Sequence, residues 1–174
     1  KYHPDVVKPQ IASVPEPAEF DNIEEPVQTV EEVDFDTKSM TLLIVDDQDD
    51  ILQFIKDEYA SLFKTIYTAH DGKEALDLIR QRMPNVVVSD IMMPRMNGFE
   101  LCKTIKTDLE LSSIPVILLT SRSDPKNQDM GYKMGADSFL PKPFDSKLLY
   151  KIIRSQLKNR FEIKRQYATS FFTA

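Results

Sequence analysis

Short apolar runs alternate with helical patterns from Met40 onward, and this alternation limits the fold more than any other feature. Strands that alternate with helical segments form βαβ units, in which right-handed crossovers place helices on both faces of a parallel sheet. The sequence therefore predicts an α/β fold with a doubly wound five-stranded parallel sheet and five helices. The expected strands are Thr41 to Val45, Lys64 to Ala69, Val86 to Ser89, Val116 to Leu119 and Ser138 to Leu140.

The helical segments carry start signals and apolar stripes. The second begins at the cap residue Asp71 with Glu74 three positions later, and the third repeats this capping box with Asn97 and Glu100. The fourth begins at Asp124-Pro125 and is the least apolar. The positions expected to face the core in the other helices are Ile51, Leu52, Ile55, Tyr59 and Leu62; Ala75, Leu76, Ile79 and Met83; Leu101, Cys102, Ile105 and Leu109; and Leu148, Leu149, Ile152, Ile153 and Leu157.

The first 38 residues differ from the rest of the chain in charge. They contain ten acidic residues against Lys1, Lys8 and Lys38, a balance of -7, whereas the whole chain of 174 residues has a balance of -6. They also contain five of the eleven prolines and no glycine. This composition is typical of an extended, self-repelling linker. We expect a flexible linker over 1–38, a globular domain over 39–159, and a helical extension or linker to an output domain over 160–174.

Composition excludes several classes of protein. A single cysteine, Cys102, excludes an intrachain disulfide framework and fits a reducing compartment, so we expect the cytoplasm. No apolar run approaches the ~18 residues of a membrane span, and this region is expected to make no membrane contact. The basic residues after Ser146 accompany no base-reading motif and indicate a solvated helix face rather than a nucleic-acid site. The chain lacks an initiator Met and is expected to be part of a longer protein, which could be membrane-anchored.

Polar residues follow the predicted strands where each strand ends. The carboxyl ends of parallel strands open on one edge of a doubly wound sheet, so these side chains are expected to converge there. Such a site contains three acids, two hydroxyl groups and an amine. Its members are Asp46 and Asp47 after the first strand, Asp90 after the third, Thr120 and Ser121 after the fourth, and Lys142 after the fifth.

Three neighbouring carboxylates repel one another unless a cation offsets their charge. An all-oxygen set suits Mg²⁺, with Mn²⁺ as the alternative. An aspartate oxygen can attack phosphorus to form an acyl phosphate, while Thr120 donates a hydrogen bond to the phosphoryl group and Lys142 neutralises another of its oxygens. The sequence therefore predicts a phosphoryl-accepting site.

The order and spacing of these residues resemble the receiver domain of two-component response regulators. The match extends from Met40 to Asn159 and comprises Asp46-Asp47, Asp90 with Met93-Pro94 and Gly98, Thr120-Ser121, and Lys142-Pro143-Phe144. The resemblance implies the flavodoxin-like strand order 2-1-3-4-5. It also implies that Asp90 is the phosphoacceptor.

The resemblance implies a role for each remaining site residue. Asp46, Asp47, Asp90 and the backbone carbonyl of Met92 would bind the metal. Thr120 and Phe139 would form the switch pair, although Phe139 stands where Tyr is common. Ser121 would leave access for the phosphoryl group, and the Lys142-Pro143 peptide bond would be cis.

The implied partner is a histidine kinase that carries a phosphohistidine. The surface of the fourth helix, fifth strand and fifth helix would respond to phosphorylation, with homodimerisation as one use, and an output domain of the parent chain could bind DNA. The linker favours the receiver of a hybrid sensor kinase, in which this region catalyses only its own phosphorylation and dephosphorylation. A stand-alone response regulator, a degenerate receiver, and a Mg²⁺-dependent phosphatase with an aspartyl-phosphate intermediate remain as alternatives. The phosphatase would use Asp47-Gln48-Asp49, although Ile51 departs from its pattern.

Overall fold

The computed structural model describes residues 35–121 and 125–172. Five strands and five helices alternate along this part of the chain. Their bounds are β1 (Thr41–Val45), α1 (Asp49–Tyr59), β2 (Thr65–Ala69), α2 (Gly72–Arg82), β3 (Val86–Asp90), α3 (Gly98–Thr107), β4 (Val116–Thr120), α4 (Pro125–Lys133), β5 (Ser138–Pro141) and α5 (Ser146–Phe172). The strands form one parallel sheet in the order β2-β1-β3-β4-β5. The predicted fold class, strand order and helix number are confirmed.

Alternate residues of the central strands face opposite sides of the sheet. Leu43, Val87 and Leu118 pack beneath α2 and α3, whereas Leu42 and Val88 pack beneath α1 and α5. Side chains of successive strand residues point to opposite faces, and a sheet covered on both faces therefore needs continuous apolar strands. This requirement explains why β1, β3 and β4 are apolar along most of their length.

Four local predictions are wrong. Leu148 of α5 is 45% exposed and does not join the core. Met83 ends α2 in the left-handed conformation with φ 46° and is 49% exposed, so it does not join the core. Leu109 is 98% exposed because α3 already ends at Thr107. Glu74 does not complete a capping box, because its carboxylate accepts from the backbone N–H of His70 instead. The capping box of α3 is confirmed, and the predicted start of α4 at Asp124 lies outside the described residues.

The segment before β1 packs against α5. Phe35 lies on the linker side of the boundary predicted at residue 39, yet its ring contacts that of Phe161 at 5.9 Å and its carbonyl accepts from Arg154. The Thr37 hydroxyl is buried and donates to the Leu62 carbonyl. Residues 1–34 of the predicted linker lie outside the described residues. Within residues 35–121 and 125–172, none of the helices combines the length and the apolar composition that a membrane span requires.

Candidate functional site

The predicted polar residues converge at the carboxyl edge of the sheet. Asp46 directly follows β1, while Asp90 and Thr120 are the last residues of β3 and β4. Asp46, Asp47 and Asp90 each offer a carboxylate oxygen, and these oxygens lie within 4.8 Å of one another. Asp46 and Asp90 are buried, whereas Asp47 faces solvent. The sheet therefore builds a carboxylate cluster that is open on one side.

Lys142 directly follows β5, and its side chain extends to this cluster. Its Nζ atom lies 2.6 Å from Asp46 Oδ2 and 3.5 Å from Asp90 Oδ1. The Lys142-Pro143 peptide bond is cis, and the backbone N–H of Lys142 donates to the Thr120 carbonyl. The amine is therefore held beside two buried acids, where its charge partly offsets theirs.

Asp90 carries a carboxylate that is costly to ionise. Burial raises its pKa, and nearby Asp46 raises it further, while Lys142 and the hydrogen bond from the Ile91 N–H act in the opposite direction without cancelling the increase. Both the Ile91 N–H and Lys142 approach Oδ1. Neither of these two contacts involves Oδ2.

Thr120 places a hydroxyl group at the same edge without a partner. The residue is 1% exposed, and its Oγ1 atom forms no hydrogen bond within the described part of the structure. A buried hydroxyl without a partner costs stability, so such groups are usually satisfied in native proteins. The hydroxyl is available to a group that enters the cluster.

The donor set fits a divalent cation. Mg²⁺ takes oxygen ligands, commonly one or two carboxylates, and keeps several waters. The three aspartates supply the oxygens, and the solvent-facing position of Asp47 leaves room for water. Burial is the main cause of the raised pKa of Asp90, and a cation would oppose the repulsion from Asp46 that adds to it.

The other residues predicted for the site are Met92, Ser121 and Phe139, and each has a different environment. The side chain of Met92 is exposed, and Ser121 is exposed beside Lys142 and Pro143 in one cleft. Phe139 is the second residue of β5 and lies before the carboxyl edge of the sheet. Its ring packs against Tyr132 of α4 with 4.8 Å between ring centroids.

Gly98 has a steric reason for its place in the pattern. Its N–H donates to the Ile91 carbonyl, and a Cβ atom at this position would lie 2.2 Å from the Asp90 carbonyl oxygen. Only glycine allows α3 to begin this close to the end of β3.

Asp49, the second acid of the phosphatase pattern, does not join the cluster. Its carboxylate instead lies 2.8 Å from Nε2 of His70, whose other ring nitrogen contacts Glu74. These two acids raise the pKa of His70, the hydrogen bond to Asp49 having the larger effect. The structure thus separates the two acids that the phosphatase alternative would need together.

Two contacts near the site were not visible in the sequence. Arg95, in the loop after Asp90, adopts φ 63° and forms an ion pair with Asp71. The ring of Phe139 lies against Gly131 of α4, where a Cβ atom would lie 1.9 Å from Cζ. An isolated glycine within a helix could have indicated the contact between Gly131 and Phe139. No local pattern marked the contact between Arg95 and Asp71.

Fold and site together define a class: a doubly wound α/β domain that gathers aspartates, a threonine and a lysine at the carboxyl edge of its sheet. Comparisons with known proteins agree. The response regulator receiver domain matches residues 42–154. This chain belongs to that family and is a receiver domain of two-component signalling.

Relatives place this domain in proteins of different design. Histidine kinase P4 of Formosa agariphila is 38% identical over 145 residues, which cover 82% of this chain and 10% of that protein. Response regulator MprA of Mycobacterium avium is 34% identical over 119 residues, or 68% of this chain and 51% of the regulator. The receiver domain of a signal transduction histidine kinase from Syntrophus aciditrophicus has a TM-score of 0.65 at 31% identity, covering 70% of this chain and 92% of that one. The chain thus spans a tenth to a half of these full-length relatives.

Proposed function

We propose that Asp90 accepts a phosphoryl group from a phosphohistidine on a histidine kinase. The observation that carries this proposal is the pairing of a buried carboxylate with a buried, unpartnered Thr120 hydroxyl at the same edge of the sheet. Oδ2 of Asp90 attacks phosphorus, the P–O bond forms, and the P–N bond to the imidazole breaks. The imidazole nitrogen leaves with the electron pair of that bond and is then protonated.

Lys142 and Thr120 act on the product of this transfer. An acyl phosphate adds about -1.5 to -2 charge, by analogy with other phosphorylated side chains, where the Asp90 carboxylate stood. The Lys142 amine is already 3.5 Å from that carboxylate and neutralises one phosphoryl oxygen. The Thr120 hydroxyl donates to another and thereby gains the partner that it lacks.

We assign the metal site to Asp46, Asp47, Asp90 and the carbonyl of Met92, with Mg²⁺ or Mn²⁺ as the cation. When bound, the metal would neutralise charge on the transferring phosphoryl group and orient its oxygens. Asp47 lies on the solvent side of the cluster, so it is the ligand through which a cation can exchange.

An apolar cleft beside the site suits the phosphodonor. It has a volume of about 460 Å³ and lies between α1 and the segment after β5. Phe54 and Phe144 supply its apolar surface, while Ser121 and Lys142 face it from the site. A donor helix in this cleft would bring its phosphohistidine toward Asp90, with the small Ser121 side chain leaving access.

Phe139 links the site to the α4-β5-α5 surface. When Thr120 turns toward the phosphoryl group, space opens at the end of β4, and Phe139 leaves its contact with Gly131 and Tyr132 to fill it. The surface formed by α4, β5 and α5 repacks as a result. Phosphorylation is thereby converted into a change of surface shape.

For the chain as a whole, we propose a linker over 1–38, the receiver over 39–159 and a segment over 160–174 that leads to an output domain. Continuous helix from Ser146 to Phe172 supports a rigid exit. We propose that this receiver is part of a hybrid histidine kinase and lies in the cytoplasm. The match to histidine kinase P4 supports this assignment. The proposed output module of the parent protein binds DNA.

Acetyl phosphate with Mg²⁺ tests the phosphoacceptor. We expect intact-protein mass spectrometry to show one added phosphoryl group that is lost in mild base. D90N should abolish this addition, whereas D129N, which changes an exposed acid on α4, should retain it. Equal phosphorylation of D90N and the unmodified protein would refute the assignment.

A further inference from the structure

The amino edge of the sheet, opposite the aspartate cluster, carries a groove of about 330 Å³. Met40, Asn85 and Pro115 line it, and each directly precedes a strand. Those strands, β1, β3 and β4, are neighbours in the sheet. The other wall of the groove is the second half of α5, through Leu157 and Phe161. The groove is therefore enclosed by the starts of three strands on one side and by α5 on the other.

The floor of this groove is apolar. Ile114 and Leu157 are buried beneath it, whereas Phe161 is half-exposed at its side. Met83 also lines the groove, because it ends α2 in the left-handed conformation instead of packing into the core. Small-molecule sites are lined mainly by such apolar and aromatic side chains, with a few polar groups that fix the orientation of the ligand. The lining favours a ligand with an apolar body.

The charged residues of the lining are both basic. Arg160 and Lys164 face the groove, and its lining residues within the described part of the chain include no acid. Lys164 is exposed and forms no ion pair with another described residue. Arg160 contacts Asp137 through Nη2, but a guanidinium has five N–H donors and can bind a second anion. The groove therefore suits a negatively charged group.

The nearest acids do not neutralise this charge. The Asp137 carboxylate lies 2.7 Å from Lys106 and 2.8 Å from Arg160, so two cations already share it. Glu162 lies on a different face of α5 and does not line the groove. The charge of Lys164 and part of that of Arg160 are therefore available to a ligand.

The size of the groove favours a small molecule over a helix of a partner protein. Small-molecule sites have volumes of about 300–1,000 Å³, and this groove lies at the lower end of that range. A single turn of α-helix, about 10 Å across and about 5.4 Å long, occupies about 420 Å³. A helix is therefore too large to enter.

We propose that this groove binds a small amphiphilic anion, in which an apolar ring carries a carboxylate, sulfonate or phosphate group. The ring packs between Ile114 and Phe161, and the anionic group pairs with Lys164 and Arg160. The Asn85 side-chain oxygen already accepts from Thr41, so the amide N–H groups of Asn85 remain as donors for the ligand.

Such a ligand would connect α5 to the starts of the strands. It would hold the helix at the edge of the sheet opposite Asp90, where α5 continues to Phe172. Phosphorylation of Asp90 plays no part in this binding. The inference therefore stands or fails separately from the proposed phosphoryl transfer.

Three probes with the same ring and different charges test the chemistry. Naphthoate carries a carboxylate, naphthamide is neutral, and naphthylmethylamine is a cation at neutral pH. NMR signals of isotope-labelled methionine methyl groups report the location, since Met40 and Met83 line the groove, whereas Met92 and Met130 are exposed elsewhere. We expect naphthoate to shift the Met40 and Met83 signals and to bind about tenfold more tightly than naphthamide, because hydrogen bonds to charged groups are the stronger ones. Naphthylmethylamine should bind most weakly.

Paired variants locate the groups that bind the probe. K164E should weaken naphthoate binding about tenfold and remove its advantage over naphthamide, whereas K103E, the same charge change on α3, should preserve both. S113W should fill the groove and weaken both probes, whereas S155W on the exposed side of α5 should not. The Met134 methyl group packs against the core, so its unchanged signal shows that a variant is folded.

Two results would refute the chemistry of the proposal. Equal affinity for naphthoate and naphthamide, or a preference that K164E leaves intact, would show that the groove does not select an anion. Shifts of Met92 and Met130 as large as those of Met40 and Met83 would show that the probe adsorbs non-specifically.

The competing occupants are a second copy of the chain and a segment of another protein. A dimer detected by sedimentation and abolished by S113W would assign the groove to a second copy. An acidic decapeptide with one phenylalanine that binds more tightly than naphthoate, and loses affinity in S113W, would assign it to a protein segment. Either result would overturn the small-molecule assignment.

Hydrogen exchange tests whether the ligand holds α5. At saturating naphthoate, backbone amides of residues 158–168 should exchange about twofold more slowly or better, whereas those of α4 should be unchanged. Unchanged exchange in 158–168 would contradict the proposed connection between α5 and the starts of the strands.

Discussion

The buried carboxylate of Asp71 forms an ion pair with Arg95, and this contact ties the start of α2 to the loop that follows Asp90. The Asp71 side chain is 2% exposed and accepts from Arg95 Nε at 2.7 Å. The same carboxylate caps α2 by accepting from the N–H groups of Lys73 and Glu74. The adjacent Gly72 N–H donates to the Met96 carbonyl. These contacts therefore attach the end of the loop that follows Asp90 to the start of α2.

Replacing Asp71 by asparagine should remove stability in a pH-dependent way. Burial alone would raise the pKa of Asp71, but the hydrogen bonds from Glu74 and Lys73 and the contact with Arg95 outweigh burial and lower it. A lowered pKa gives stability that is present above the unfolded-state pKa, about 3.9, and is lost as pH falls through the folded-state value. We expect D71N to cost about 1–2 kcal/mol at pH 7 in urea unfolding, and the difference to shrink below about pH 4.

An R95A variant separates the two roles of Asp71. R95A keeps both the capping hydrogen bonds and the negative charge of Asp71, whereas D71N keeps an acceptor oxygen but loses the charge. The loss of stability in R95A should therefore be smaller than in D71N, below about 1 kcal/mol for a guanidinium that is mostly exposed. Phosphorylation by acetyl phosphate should nevertheless slow, because the loop after Asp90 loses its anchor. A normal rate in R95A would show that the anchor does not position the site.

Thr120→Val should separate stability from signalling. The hydroxyl has no partner within the described structure, so its replacement by a methyl group should leave stability unchanged or raise it by up to about 1 kcal/mol. The variant should still accept a phosphoryl group on Asp90, but the α4-β5-α5 surface should not respond. Amide chemical shifts around Phe139, recorded before and after phosphorylation, would show this response. Substantial destabilisation by T120V would mean that the hydroxyl has a partner in the resting protein.

Mg²⁺ should stabilise the folded chain through the carboxylate cluster. A ligand that binds only the native state, at a free concentration of ten times its Kd, adds about 1.4 kcal/mol to the free energy of unfolding. D47N and D90N should each reduce this gain, whereas D129N should not. Without metal, D90N should raise Tm, because burial and Asp46 make the ionised Asp90 side chain unfavourable at pH 7. Equal Mg²⁺-induced shifts in all variants would place the metal elsewhere.

Gly131→Ala should change sign between two backgrounds. Alanine normally stabilises a helix interior by about 1 kcal/mol relative to glycine. Here the added Cβ atom would lie 1.9 Å from Phe139 Cζ, so the ring must move, at a cost of about 1–3 kcal/mol. G131A should therefore destabilise the unmodified protein but stabilise the F139A variant. A double-mutant cycle by urea unfolding checks this, and stabilisation in both backgrounds would mean that the ring is free to move.

The sequence predicted the site better than the ends of the helices. Aspartates at strand ends are marked by the apolar runs before them, so Asp46, Asp47 and Asp90 could be grouped without a structure. Leu109 and Met83 fit the helical period but fall beyond the last turn of their helices. Periodicity continues past the point where a chain turns, and it cannot show where a helix stops.

Arg95 and Gly131 show a second kind of limit. Arg95 reaches Asp71 because its backbone adopts a positive φ, a conformation that the residue type does not announce. Gly131 matters because Phe139 arrives from another strand and lies on it. Both contacts depend on the backbone conformation of all the residues between the two partners.

The sequence by itself determined the parallel α/β sheet and the chemical groups at its carboxyl edge, because apolar period and strand-end polarity are properties of neighbouring residues. Only the tertiary structure decided how those groups meet: that Lys142 lies between Asp46 and Asp90, that the Thr120 hydroxyl is buried without a partner, and that Asp49 turns to His70. Those outcomes depend on distances between atoms from different elements. Packing of the whole sheet against its helices fixes such distances, and no local pattern encodes them.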